Sequence, residues 1–166
     1  MSYQPYPTSG PGQTPEPQQR PAAPNSVQTA VKLMYAGAAL SLIELIVSLV
    51  TIASLKSAIL KKFPHYTSSQ VHSAEVAIVA GVVIEAVIAI GLWLWMARAN
   101  AAGRNYARIT GTVLFVVYTL FLLLDLRRPS VGIGLIFSVL VWLAGAGAVI
   151  MLWRRDSSEY FAPRAR

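Results

Sequence analysis

The chain has 166 residues, 55% of them hydrophobic and 13% charged, with a formal net charge of +7 and no cysteine. A soluble domain carries about a quarter charged residues, so this composition excludes an ordinary soluble fold, and the missing cysteines exclude disulfides, thiolate catalysis and Cys-ligated metals. Nor does the positive charge point to nucleic acid, because the lysines and arginines stand at the ends of apolar runs, as flanks of membrane spans do, rather than along one helix face.

Residues 1–26 hold seven of the ten prolines among Gln, Ser, Thr and Gly. Such a stretch has little to bury and cannot offset its ordering entropy, so a disordered cytoplasmic tail with polyproline II character is expected. Four apolar runs fill the domain that follows, residues 27–155. The first span is expected at about 33–55, long enough at ~1.5 Å per residue to cross the ~30 Å hydrocarbon layer. Gly37, Ser41, Glu44, Ser48 and Thr51 recur at spacings of three and four, which sets them on one helix face. Lipid offers no hydrogen bonds, so that face should turn toward other helices or a small aqueous cavity.

In the linker, residues 56–73, Ile59, Leu60 and Phe63 alternate with Lys56, Lys61 and Lys62. The pattern suits a short helix at the membrane surface, ended by Pro64. Ser68 or Ser69 is expected to cap the next helix. His65, His72 and Glu75 are too few, in too polar a linker, to predict a metal site. The second span, about 74–97, carries Ala77, Gly81, Glu85 and Ala89 every fourth residue, a small-residue face that admits close helix approach. The third span follows at about 107–126, with Asp125 expected to pair with Arg128 at its exit. Pro129 then forces a tight turn, and the fourth span occupies about 131–153. Residues 156–166 read as a short polar tail.

Tryptophans favour the headgroup layer, and cations collect at span ends on the cytoplasmic side. Trp93, Trp95, Arg98, Arg104, Arg108, Trp153, Arg154 and Arg155 are therefore the expected interfacial anchors. The sequence thus predicts an all-α membrane protein, four transmembrane helices in an up-down bundle. With four spans, nine of the 14 lysines and arginines fall on the side of the termini and the Arg98–Arg108 turn, against five on the other. That asymmetry predicts a multi-pass protein with both termini cytoplasmic.

The motif Trp-x-Trp-Met-Ala-x-x-Asn-x-x-Gly-Arg, Trp93 to Arg104, resembles that of a group of uncharacterised actinobacterial membrane proteins. Those proteins pair a proline-rich N-terminal tail with four spans. Leu33 to Gly37, Arg108-Ile109 and Leu152 to Arg155 are similar as well. The resemblance implies a bacterial plasma membrane and assigns no activity, cofactor or site.

No Ser-His-Asp set, metal cluster or glycine-rich phosphate loop occurs, so neither an enzyme nor a cofactor nor a catalytic residue is predicted. The first functional expectation is a non-catalytic membrane protein that acts by packing against partners. These would be the lipid bilayer, further copies of itself or another membrane protein, with no role for nucleic acid. The alternative is a small proton- or cation-coupled transporter or channel built on Glu44 and Glu85. Each lies about halfway along its span, no lysine or arginine reaches that depth, and an unpaired carboxylate there is costly. The expectation is that spans one and two pack antiparallel with these side chains close together, Ser41, Ser48 and Thr51 completing an intramembrane polar site.

Overall fold

Backbone groups in lipid must bond within their own segment, so each apolar run is driven into a helix. The computed structural model describes residues 22–127 and 133–162, and among these every extended element is helical. Helix α1 is Asn25–Val50, followed by a single 3₁₀ turn, Thr51–Ser54, and by the short α2, Leu55–Lys62. Helix α3 is Ser68–Ala101, α4 is Asn105–Asp125, α5 is Ile133–Leu152 and α6 is Arg155–Phe161. Four of them, α1, α3, α4 and α5, are long and apolar enough to cross a membrane, and the chain is accordingly a multi-pass membrane protein.

Several boundaries differ from the sequence expectation, each for a local reason. Helix α1 begins at Asn25 rather than near 33. Pro24 at the cap holds an extended backbone, and nothing in the polar stretch up to Lys32 stops the helix, which continues past the apolar layer. Residues 22–26 therefore do not belong to a disordered tail: Ser26 and Val27 are buried, and the Gln28 amide donates to the Ala23 carbonyl at 2.8 Å. The rest of that tail, residues 1–21, lies outside the described residues. At its other end α1 stops at Val50 instead of 55, because hydroxyls compete for its carbonyls. Thr51 donates to the Val47 oxygen at 2.9 Å, Ser54 to Thr51 at 2.7 Å and Ser57 to Ser54 at 2.8 Å, and the helix tightens into the 3₁₀ turn. The cap of α3 is Thr67, not Ser68 or Ser69. Its hydroxyl accepts from the Gln70 N–H while the Gln70 side chain accepts from the Thr67 N–H, a reciprocal capping box. The expected Asp125–Arg128 pair and the Pro129 turn involve residues outside those described.

The bundle is a spine with two wings. Helix α1 packs along both α3 and α5, α4 packs along α5, and contact between α3 and α4 is sparse. Polar ties fasten α4 to α5. The indole N–H groups of Trp142 and Trp153 donate to the hydroxyls of Thr119 and Thr112 at 3.0 and 2.9 Å. Each threonine in turn donates to the carbonyl four residues back on its own helix, so both members of each tie are satisfied. The Tyr118 hydroxyl adds a bond to the Ser138 carbonyl at 3.1 Å. Bonds of this kind in a bilayer contribute about 0.6 kcal/mol each on average.

The end that carries Asn25 and Phe161 is sealed. Val27, Ala30, Met34, Met96, Ala97, Ala99, Ala107, Ala148, Leu152 and Phe161 form one buried cluster there. Asn100, fully buried, donates its amide back to the Met96 carbonyl at 2.9 Å. The α3–α4 connection closes with Gly103 at φ 67°. Its N–H donates to the Asn100 oxygen at 2.9 Å and that of Arg104 to the Ala99 oxygen at 3.2 Å, the paired bonds of a Schellman ending. Residues 156–166 are not simply a polar tail: α6 folds over this end. The Ser157 hydroxyl donates to the Met151 carbonyl at 2.7 Å and is hydrogen-bonded to the Ser26 hydroxyl at 2.8 Å, and Tyr160 covers Gly103 and donates to the Ala101 carbonyl at 3.0 Å.

Two glycines inside the bundle should respond in opposite ways to a methyl group. A Cβ at Gly37 would stand 2.7 Å from the Trp93 indole, whose far edge already lies against Gly145. Gly37→Ala must displace a ring held from both sides, and overpacking of that kind costs about 1–3 kcal/mol. A Cβ at Gly111 meets only the terminal methyl of Met96, which can rotate aside, while alanine gains up to about 1 kcal/mol of helix propensity. In detergent, Gly37→Ala should lower the melting temperature clearly and Gly111→Ala should leave it nearly unchanged.

Candidate functional site

The register between α1 and α3 decides whether the two mid-span carboxyls meet. Gly37 faces Trp93, Met34 lies 3.9 Å from the Asn100 amide, and Ser48 shares a small cavity with Val82. These antiparallel pairings set Glu44 opposite the turn of α3 that holds Glu85. Both glutamates line one cavity of about 630 Å³ among the four long helices, and they are within electrostatic reach of each other. Ser41 and Ser48 lie on the same cavity. Thr51 does not. It borders the neighbouring 230 Å³ cavity between α1, the 3₁₀ turn, α2 and α3, its hydroxyl held by its own helix.

The rest of the lining is apolar and aromatic. Met34 and Met96 form the floor at the sealed end, Trp93, Phe115, Tyr118 and Phe121 stand along the walls, and α5 contributes Ser138, Val141 and Gly145. Among the described residues, no lysine, arginine or histidine lines it. Neither carboxyl forms a hydrogen bond or ion pair with another described residue, and the Ser41 hydroxyl, on a residue only 5% exposed, also has no partner among them. Glu44 is half-buried and Glu85 exposed, so their oxygens, with the Ser41 hydroxyl, are open to whatever fills the cavity.

Exposure shows where the cavity opens. Its lining residues on α1 and α5 are buried, as Met34, Ser41, Val141 and Ala148 are, or half-buried, as Glu44, Ser48 and Ser138 are. Those on α3 and α4 include exposed ones: Glu85, Leu92, Val117 and, at 62%, Phe121. The mouth is thus the lateral gap between α3 and α4, where the two wings do not meet. On α3 the stripe of Ala77, Gly81 and Glu85 is exposed, and a Cβ at Gly81 would meet nothing within 4 Å. Ala77 and Gly81 thus leave the outside of α3 open to the close helix approach that their spacing suggested, while Glu85 and Ala89 of the same face line the cavity and close approach to α1 is mediated by Gly37.

The expected anchors divide into two groups. Trp95 is exposed and lies 6.2 Å from Tyr106, whose hydroxyl accepts from Arg104 at 3.0 Å. Arg98, Arg154 and Arg155 are exposed as well. Trp93 is different. It turns into the bundle, because only Gly37 and Gly145 leave room for an indole between α1 and α5. Arg108 is also drawn inward, its guanidinium 3.9 Å over the Trp153 ring and hydrogen-bonded to Ser158 at 3.1 Å. Neither Trp93 nor the aromatic wall of Phe115, Tyr118 and Phe121 was assigned to the polar site from sequence. The available signal was their helical spacing from the glycines and from one another, which hydropathy alone does not separate from lipid-facing residues. No protein-family model, curated protein or solved structure matches this chain.

The proximity of the two carboxyls can be read directly, because the chain has no native cysteine. Glu44→Cys combined with Glu85→Cys should crosslink with a short bifunctional maleimide. Thr51→Cys with Glu85→Cys should react much less under the same conditions.

Proposed function

We propose that this is a plasma-membrane protein of four spans whose working part is the Glu44/Glu85 cavity, and that it handles protons or small cations there without covalent catalysis. One observation carries the reading: two carboxyls at matching depth line a single cavity that holds no cationic side chain among the described residues. A pair serving only to hold helices together would spend its oxygens on neighbouring donors, and these oxygens bond to no described residue. A carboxyl without a partner at that depth is costly, and a site that takes up and releases a proton or a cation gives the cost a purpose.

Liposomes containing only this protein should dissipate an imposed pH gradient faster than protein-free liposomes, and Glu44→Gln with Glu85→Gln should remove the difference. Equal rates with and without protein would overturn the reading and leave the chain as a partner-binding protein. The outward face of Ala77 and Gly81 would then be the surface to examine for a second copy.

The same proposal places both termini in the cytoplasm, on the strength of the nine-to-five cation asymmetry and the rule that cations stay inside. Reporter fusions at the C-terminus should read as cytoplasmic and one after Tyr66 as external. The reverse pattern would mean that Lys56, Lys61 and Lys62 outweigh the arginines of the α3–α4 turn.

A further inference from the structure

The size, lining and mouth of the cavity narrow what can enter it. A volume of about 630 Å³ lies in the range of sites for drug-sized molecules, roughly 300–1,000 Å³. A bare divalent cation would find a poor site, since such ions take about six or more oxygen ligands and most of this lining is carbon. The mouth faces sideways between α3 and α4, where a bilayer would supply lipid chains rather than bulk water. A solute reaching the carboxyls by that route must itself partition into hydrocarbon. Once inside, it meets two carboxyls, no competing cation among the described residues, the aromatic side chains of Trp93, Phe115, Tyr118 and Phe121, and the Ser41 hydroxyl, which has no partner among the described residues. Carboxylates and aromatic faces both attract positive charge, and the attraction to rings strengthens when water is excluded.

We propose that the cavity binds a lipophilic organic cation, an amine, ammonium or phosphonium on an apolar body, which enters from the lipid between α3 and α4 and rests with its charge between Glu44 and Glu85. The inference deepens the cation-handling reading and rests on the same cavity, but binding and translocation are separable. The apolar body replaces lipid against Leu92, Val117 and Phe121 at the mouth. The single positive charge balances one carboxylate while the other carboxyl keeps its proton, so no protein cation is required, and Ser41 offers a hydroxyl to a polar substituent. A lipid chain alone would fill the volume and leave both carboxyls unsatisfied, which is why a cation is the better occupant.

Equilibrium dialysis of the purified full-length protein in detergent with tetraphenylphosphonium tests this, with protein-free micelles as the blank. Binding should saturate, and Glu44→Gln or Glu85→Gln should each weaken it about tenfold or more. Neutral triphenylphosphine oxide should not compete. A Phe121→Cys variant, carrying the only cysteine in the chain, should react more slowly with N-ethylmaleimide when tetraphenylphosphonium is present, a reading that does not depend on how the glutamine variants fold. Absence of saturable binding, equal binding of the neutral compound, or binding indifferent to both glutamates would each overturn the proposal. Binding without proton flux would keep this site and reject translocation. Flux without binding would keep translocation and reject the lipophilic cation.

Discussion

The arrangement depends on the Trp93 indole lodged between Gly37 of α1 and Gly145 of α5. In a bilayer the chains around a helix are as apolar as its own side chains, so no hydrophobic force pulls helices together, and close fit must do so instead. Two glycines on different helices let one large flat ring bridge three elements at once. That contact fixes the register of α1 on α3, and the register in turn brings Glu44 and Glu85 to the same cavity. Met34, Met96 and Asn100 extend the same contact toward the sealed end.

Away from the ring the bundle loosens, and the cause is the change of surroundings along its axis. Helix α1 begins with polar residues up to Lys32, which lie beyond the apolar layer, and there burial is driven by water in the usual way. Val27, Ala30 and Phe161 are buried in that zone. Within the span the pull vanishes, and specific devices hold: the Thr112–Trp153, Thr119–Trp142 and Tyr118–Ser138 bonds on one wing and the Gly37 contact on the other. No such device joins α3 to α4 beyond the turn, where Met96 meets Gly111 and Trp95 meets Tyr106. The open mouth is the result of two wings each fastened to the spine and not to each other.

Much of this was legible in the sequence, for a reason specific to membranes. Crossing a bilayer demands long uncharged runs, so the four long apolar helices, the short helix in the linker and the glycine turn at Gly103 follow from residue order alone. Which face of a span meets protein is weakly encoded, because lipid-facing and buried positions use the same side chains. Trp93 has the residue type and position of an interfacial anchor, yet it is an interior wedge. The stripe of Ala77 and Gly81 has the spacing of a packing face and is exposed, a Cβ at Gly81 meeting nothing within 4 Å among the described residues. Polar residues were the better guide: Ser41, Glu44 and Ser48 lie on the cavity, while Thr51, one turn further, is diverted by its bond to Val47. Helix α6 was hidden because Ser157, a polar residue, is one of its most deeply buried positions.

The hydroxyl contact between Ser157 and Ser26 joins residues 131 positions apart in the chain. Synthesis runs from the N-terminus, and units assemble as they emerge, so α1 and α3 can find their register while α5 and α6 are still being made. The seal over the Asn25 end cannot close until the last turn of α6 has left the ribosome, since Tyr160 and Phe161 complete it. A chain interrupted within α5 would therefore keep that end unsealed, with Val27 and Ala30 lacking the cover that Phe161 completes.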